Sequence, residues 1–184
     1  DSTYAVINSD SFNPYIKYNP DELPTDLVGK DVGFITEPTY ENGSISIKKL
    51  SKIDQDAQEK ARAKHILLRF DDSNKSTVRT EANRILNLLR SGSDFEETAR
   101  TYSQDGSASN GGDLGWFTDG MMVKPFQDAV FSRRRSGLIP RIIETDFGFH
   151  IINVTYPKTR TSYFVANISK DILPSDNTVS YTHL

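Results

Sequence analysis

No cysteine occurs among the 184 residues, so thiol nucleophiles, disulfides and cysteine-ligated zinc are excluded. That absence leaves the redox compartment open, because a cysteine-free chain works equally well in either. Absent too are an uninterrupted apolar run approaching the ~18–20 residues of a membrane span and an N-terminal signal pattern. The chain begins on Asp1 rather than Met and reads as a piece of a longer protein, so these two absences say little about the whole. Neither charge sign dominates: 22 Lys and Arg face 25 Asp and Glu, a net charge of −3. That balance lacks the basic footprint of a nucleic-acid or anionic-membrane binder. What is present, 36% hydrophobic and 10% aromatic residues, argues against wholesale disorder. A chain of this size buries roughly 70% of its unfolded surface, enough for one domain with flanking pieces or for two small domains.

The first 60 residues are punctuated by Pro14, Pro20, Pro24 and Pro38. Asn42-Gly43, between Gly33–Thr36 and Ile45–Ile47, predicts a hairpin over about 32–50, since a type I′ turn needs two residues that tolerate positive φ. Irregular chain is expected before it, and a polar run from Ser51 to Lys60 after it. A compact part then begins at Ala63. Period-two alternation puts Ile66, Leu68 and Phe70 on one strand face and His65 with Leu67 on the other. Ala82, Ile85, Leu86 and Leu89 form the stripe of an amphipathic helix that Gly92 stops. Ser93-Asp94-Phe95-Glu96 reads as a capping box, with Ser93 capping and Glu96 answering, for a helix that buries Phe95, Ala99 and Tyr102.

Ser103–Asp113 reads as a small-residue loop, Leu114–Phe117 as a short strand and Asp119-Gly120 as a turn. Pro125 suits the first position of a helix carrying Phe126, Ala129, Val130 and Phe131. Two strands are expected near Arg141–Thr145 and Phe149–Thr155, joined at Asp146-Phe147-Gly148. Beyond Pro157, Tyr163–Ile168 is strand-like and Pro174-Ser175-Asp176 resembles a helix start. Gly111-Gly112-Asp113-Leu114-Gly115 precedes a strand rather than a helix, so a tight turn is the better reading than a phosphate cradle. His65, His150 and His183 show no metal-ligand spacing, no Gly-x-Ser-x-Gly elbow presents a serine, and Arg133–Arg135 reads as a solvated helix end. From the residues alone, the chain is an α+β protein with a candidate His/Asp/Thr pocket.

Several ordered motifs resemble the parvulin family of peptidyl-prolyl cis–trans isomerases: Ala63-Lys64-His65-Ile66-Leu67; Phe95 through Ser103 with Gly111–Phe117; Met122-Val123-Lys124-Pro125-Phe126 with Ala129-Val130-Phe131; and Thr145–Ile152. The resemblance implies an FKBP-like, four-stranded antiparallel sheet surrounded by helices, in the order β-α-α-α-β-α-β-β, with a short third helix inside the 103–113 loop. It implies that His65, His150 and Thr145 form a network holding Asp105, and that Leu114, Met122 and Phe126 form the pocket for the proline ring. Phe147 matches a substrate-facing position, and Ser107 is a weaker correspondence. The activity implied is isomerisation of X-Pro bonds in unfolded polypeptides without cofactor or metal. With Asp at 105 no covalent thiol step is available. Asp71 and Asp72, in the loop where a phosphate-specific subfamily carries arginines, imply no phosphate requirement.

The flanks, Val32–Leu50 and Tyr163–Thr178, resemble SurA- and PpiD-type folding factors. The organisation implied is a flanking segment over 1–60, the isomerase domain over 61–158 and a return segment over 159–184 toward a chaperone region. Members of that group work in the periplasm, often anchored in the inner membrane through other segments. The resemblance implies the same setting here, with a monomeric chain acting on envelope proteins. The alternative is a peptide-binding chaperone module whose isomerase site is vestigial. Ser136–Pro140 departs from the family's usual run after the glycine.

Overall fold

The computed structural model describes residues 2–10 and 14–172. The helix start expected at Pro174 and the residue His183 lie outside them. The chain forms two units, one from residues 1–57 with 161–184 and the other from residues 58–160. The second unit is therefore entered and left through the first.

In the first unit, α1 (Ser2–Asn8), β1 (Tyr15–Tyr18) and a 3-10 turn (Thr25–Leu27) replace the irregular chain expected there. They are followed by β2 (Thr39–Glu41) and β3 (Ser44–Asp54). Asn42 and Gly43 both take positive φ, 52° and 81°, so the hairpin turn is as the sequence predicts. Its first arm is not. Thr39–Glu41 pairs with Ser44–Ser46, whereas 33–36 joins β3 one step further on, through Gly33 N–H to the Leu50 carbonyl and Thr36 N–H to the Lys48 carbonyl. Pro38, with no N–H to donate, falls between the two pairings. The polar run is strand as far as Asp54, because β3 pairs antiparallel with β9 (Ser162–Asp171). The sheet order is β1-β9-β3-β2, and Leu23, Leu27, Leu50 and Val165 form its core.

The second unit runs β4 (Lys60–Leu68), α2 (Lys75–Arg90), α3 (Phe95–Tyr102), a 3-10 turn (Gly106–Asn110), β5 (Asp113–Thr118), α4 (Lys124–Phe131), β6 (Gly137–Leu138), β7 (Ile143–Thr145) and β8 (Gly148–Thr159). Its antiparallel sheet has the order β5-β4-β8-β6, with β7 also on β8. The sheet is thus four strands across, its far edge shared by β6 and β7. The short third helix that local reading leaves as loop is the 3-10 turn. The strand β8 runs on through Pro157, although its pairing with β4 shifts register between Val154 and Tyr156 and again between Tyr156 and Thr159.

Two cores cover the two sheet faces. Ile66, Leu68, Phe149 and Ile151 pack on Ile85 and Leu86 of α2 and Ala99 of α3. Ala63, Ile152 and Val154 pack on Phe126 and Val130 of α4. Alternation along β4 and β8 thereby sends His65, Leu67 and His150 to the α4 face.

Some local expectations shift. The cap of α3 is Asp94, which accepts from Glu97 N–H. Ser93 does not cap it, and Glu96 instead pairs with Lys64 and Arg100, two cations that compete for the carboxylate a capping box needs. Phe95 and Tyr102 are only half-buried, and Thr98 is buried instead. Pro125 is the second residue of α4, after Lys124, where its missing N–H still costs nothing.

Gly112 (φ 78°) carries the chain past β4: a Cβ there would collide with the His65 carbonyl oxygen, whereas one at Gly115 (φ 65°) would meet nothing within 4 Å. Both substitutions incur left-handed strain, but only one adds a backbone collision. Gly115→Ala is expected to cost about 1 kcal/mol and Gly112→Ala about 3 kcal/mol in urea unfolding. Equal losses would contradict this packing.

Candidate functional site

The end of β4 sets the site. Gly112 accepts from His65 N–H at 2.9 Å on one side. On the other, Ser103 Oγ accepts from Leu67 N–H, Gln104 N–H donates to the Leu67 carbonyl, and Gln104 Oε1 accepts from Arg69 N–H. These stitches carry Asp105 alongside His65. The 3-10 turn then fixes the carboxylate, because Asp105 Oδ2 accepts from Ser107 N–H at 2.9 Å and from Ser107 Oγ at 2.6 Å. His65 Nε2 lies 3.1 Å from the same oxygen. The approach is off the N–H axis, so it is an electrostatic contact rather than an aligned hydrogen bond, and Nε2 has no aligned partner.

The register of β4 on β8 makes His65 and His150 diagonal neighbours: Leu67 faces His150, and His65 faces Ile152. Their Nδ1 atoms lie 3.1 Å apart. Beyond them, His150 Nε2 lies 2.8 Å from Thr145 Oγ1, which accepts from Phe147 N–H at 3.1 Å. Thr145 is placed by the tight β7–β8 turn, in which it pairs with Gly148. With both rings neutral, one order of donors satisfies every contact. Phe147 N–H donates to Thr145, Thr145 O–H to His150 Nε2, and His150 Nδ1–H to His65 Nδ1. His65 Nε2–H then faces Asp105.

Charges follow from these contacts. Burial, the largest influence on Asp105, acts to raise its pKa. The Ser107 hydroxyl and amide, joined by His65, outweigh it and hold the carboxyl well below its ordinary range. His150 is pushed down to about 4, first by burial and then by repulsion from His65, with Asp105 opposing. At neutral pH the site therefore presents a carboxylate and an uncharged His150.

Beside this chain lies a cleft of about 400 Å³ lined by His65, Leu67, Arg69, Asp105, Leu114, Met121, Met122, Val123, Phe126, Phe147 and His150. Phe126 meets both imidazoles edge-on, its centroid 5.7 Å from that of His65 and 5.4 Å from that of His150. Seven of the eight residues expected at the site border the cleft. Thr145 is buried behind His150, and Ser107 acts on Asp105 without lining the cleft. Phe147 is on the exposed rim. Leu67, Arg69, Met121 and Val123 are additional. Leu67 and Arg69 follow His65 at two-residue steps, so strand alternation was a signal for both, whereas Met121 and Val123 merely adjoin Met122. Among the described residues no group of three or more His, Asp or Glu is placed to hold a metal, and no helix is long and apolar enough to cross a membrane.

A family model described as the PPIC-type PPIASE domain matches residues 45–158, more than half of the chain. The chain belongs to this family. Similar proteins to this PPIC-type chain include the foldase protein PrsA of Geobacillus kaustophilus, 35% identical over 80% of the chain and 50% of PrsA. Another is the chaperone SurA of Burkholderia pseudomallei, 36% identical over 82% of the chain and 33% of SurA. The chain thus spans half or less of the length of these curated relatives. A crystal structure of a PpiC-type peptidyl-prolyl cis–trans isomerase domain matches with a TM-score of 0.53 at 29% identity, covering 56% of this chain and 94% of that one. The PPIC-type fold is therefore an α+β domain with the antiparallel sheet described above.

The depressed pKa of His150 has a consequence for stability. The unfolded chain takes up a proton near the ordinary value of 6.5, which the folded protein refuses until about pH 4. Stability from this group is complete above that ordinary value and is lost as pH falls toward 4. Asp105, depressed from 3.8, keeps its contribution throughout that window and loses it only below. Between pH 7 and about pH 4.5 this part of the protein's stability falls by about 2 kcal/mol. His150→Gln is expected to flatten that fall in urea titrations, and an unchanged slope would contradict a neutral His150.

Proposed function

We propose that the cleft isomerises X-Pro bonds in unfolded or partly folded polypeptides, non-covalently and with no phosphate before the proline. The observation that carries this is the anionic Asp105, anchored by Ser107 and backed by His65, beside the apolar wall of Leu114, Met122 and Phe126. Rotation about the peptide bond is opposed by about 18–20 kcal/mol of C–N double-bond character. No bond has to break: a site need only favour the twisted amide over both planar forms.

In this reading the apolar wall fixes the proline ring. Asp105 acts on the carbonyl, disfavouring the resonance form that puts negative charge on its oxygen and so loosening the C–N bond. His65, His150 and Thr145 are positioning residues for that carboxylate, and Phe147 closes the rim. The absence of a phosphate requirement is supported by the charges beyond β4. Lys75 and Arg79 are both paired with Glu144, and Asp71 is occupied at the start of α2 by Ser73 and Asn74.

Residues 61–158 are proposed as the isomerase domain, set between a flanking segment at 1–60 and a return segment at 159–184 of a chaperone region. By kinship with PrsA and SurA, the whole protein would act as a folding factor outside the cytoplasm, in the periplasm, with the present segment itself monomeric. Its partners would be proline-containing envelope proteins, and any inner-membrane anchor would lie in segments beyond these residues.

Exchange NMR on short X-Pro peptides tests the activity. Wild type is expected to accelerate exchange, Asp105→Ala to lose at least about ten-fold of that acceleration with little change in peptide affinity, and Phe126→Ala to lose affinity. Peptide shifts at the cleft without faster exchange would instead make it a binding module with a vestigial isomerase site.

A further inference from the structure

The chain contains only two methionines, and they are neighbours, Met121 and Met122. Both line the cleft. Because there is no cysteine, their thioethers are the only sulfur atoms in the sequence and the side chains a two-electron oxidant attacks first. Met121 is 63% exposed, its sulfur accepting from Thr118 N–H at 3.3 Å. Met122 is half-buried and packs against the core that contains Phe117, Phe126 and Ile152. The two sulfurs thus occupy different surroundings on one wall, one at the hydrated rim and one facing the apolar interior.

We propose that Met122 is a reversible oxidation site, and that its sulfoxide shuts the cleft to proline. The proposal rests on the reading of this cleft as the proline site. In the forward step a sulfur lone pair takes one oxygen of hydrogen peroxide and the O–O bond breaks. The sulfur loses two electrons and the peroxide leaves as water. In the return step a methionine sulfoxide reductase supplies two thiols, which become a disulfide while the oxygen departs as water.

The sulfoxide oxygen is a strong acceptor that needs a donor. Leu114 and Phe126, its neighbours on the wall, have none, the cleft's His65 Nε2 and Arg69 Nε are turned to Asp105 and the Gln104 carbonyl, and the imide nitrogen of an X-Pro bond carries no hydrogen. Seating a proline ring there would strip water from that oxygen and replace it with nothing, which weakens binding by about ten-fold or more. A sulfoxide at Met121 stays hydrated on the rim and is silent. The neighbouring pair therefore divides into an exposed methionine whose oxidation is tolerated and an inner one whose oxidation is not.

The test uses wild type, Met121→Leu and Met122→Leu, each treated with hydrogen peroxide and compared with its own untreated sample. Leucine keeps the volume and the apolar character without the sulfur. Sulfoxide at each position is mapped by peptide mass spectrometry, and prolyl exchange and peptide affinity are both measured by NMR. In wild type and Met121→Leu, both readouts are expected to fall about ten-fold in step with Met122 sulfoxide. They should recover with methionine sulfoxide reductases and a dithiol, while Met122→Leu keeps both through treatment. The proposal is overturned if Met122→Leu is silenced as wild type is. It is overturned equally if full conversion of Met122 leaves peptide affinity unchanged, or if Met122 stays reduced while Met121 is consumed. Untreated protein that binds peptide without accelerating exchange would sink the isomerase reading alone, and peptide affinity would still decide the oxidation proposal by the same criteria.

Discussion

A row of polar side chains cannot run through an apolar interior unless its donors meet acceptors, and the chain from Phe147 N–H through Thr145 and His150 to His65 meets that demand, ending on the electrostatic contact of His65 Nε2 with Asp105. Its members come from four parts of the unit: the β7–β8 hairpin end with Thr145 and Phe147, strands β8 and β4, and the 3-10 turn. The chain therefore ties those parts to one geometry. The sheet register, the close pass of Gly112 over β4 and the stitches from Ser103 and Gln104 to Leu67 and Arg69 all serve to bring the carboxylate to the end of that chain. If the register slipped by one residue, His150 would turn to the α2 face and the chain would be lost.

The same arrangement gives the two buried imidazoles a positioning role in the proposed reading. Burial keeps His150 uncharged, while Asp105 stays a carboxylate on the cleft wall. The proposed reaction breaks no bond and so has little use for proton transfer. It calls for a fixed field beside a fixed ring, and in that proposal the anchored carboxylate and the apolar wall supply them. The field comes from groups held by backbone and core, with no reorganisation required when a peptide arrives.

Much of the second unit was legible because its signals are periodic. Ile66, Leu68 and Phe70 alternate, and Ala82, Ile85, Leu86 and Leu89 recur at helical spacing, so both faces of the sheet could be assigned from the residues. The site was legible only through the resemblance of whole motifs, since nothing local ties Asp105 to His65 across forty positions. What escaped reading depends on tertiary pairing. The strand β9 meets β3 over more than a hundred residues of sequence, β6 exists because β8 offers it an edge, and Asp94 outcompetes Ser93 as cap because Glu96 is drawn to Lys64 and Arg100. The 3-10 turn after Asp105 has no apolar stripe to announce it. It is held by Ser107 and the two glycines that close it.

The direction of the donor chain is the claim on which the rest stands, and imidazole nitrogen shifts report it directly. A long-range nitrogen–proton correlation spectrum at pH 7 is predicted to show His150 uncharged, with its proton on Nδ1 and a bare Nε2 facing Thr145. A His150 protonated on Nε2, or on both nitrogens, would reverse or break the chain and contradict the account.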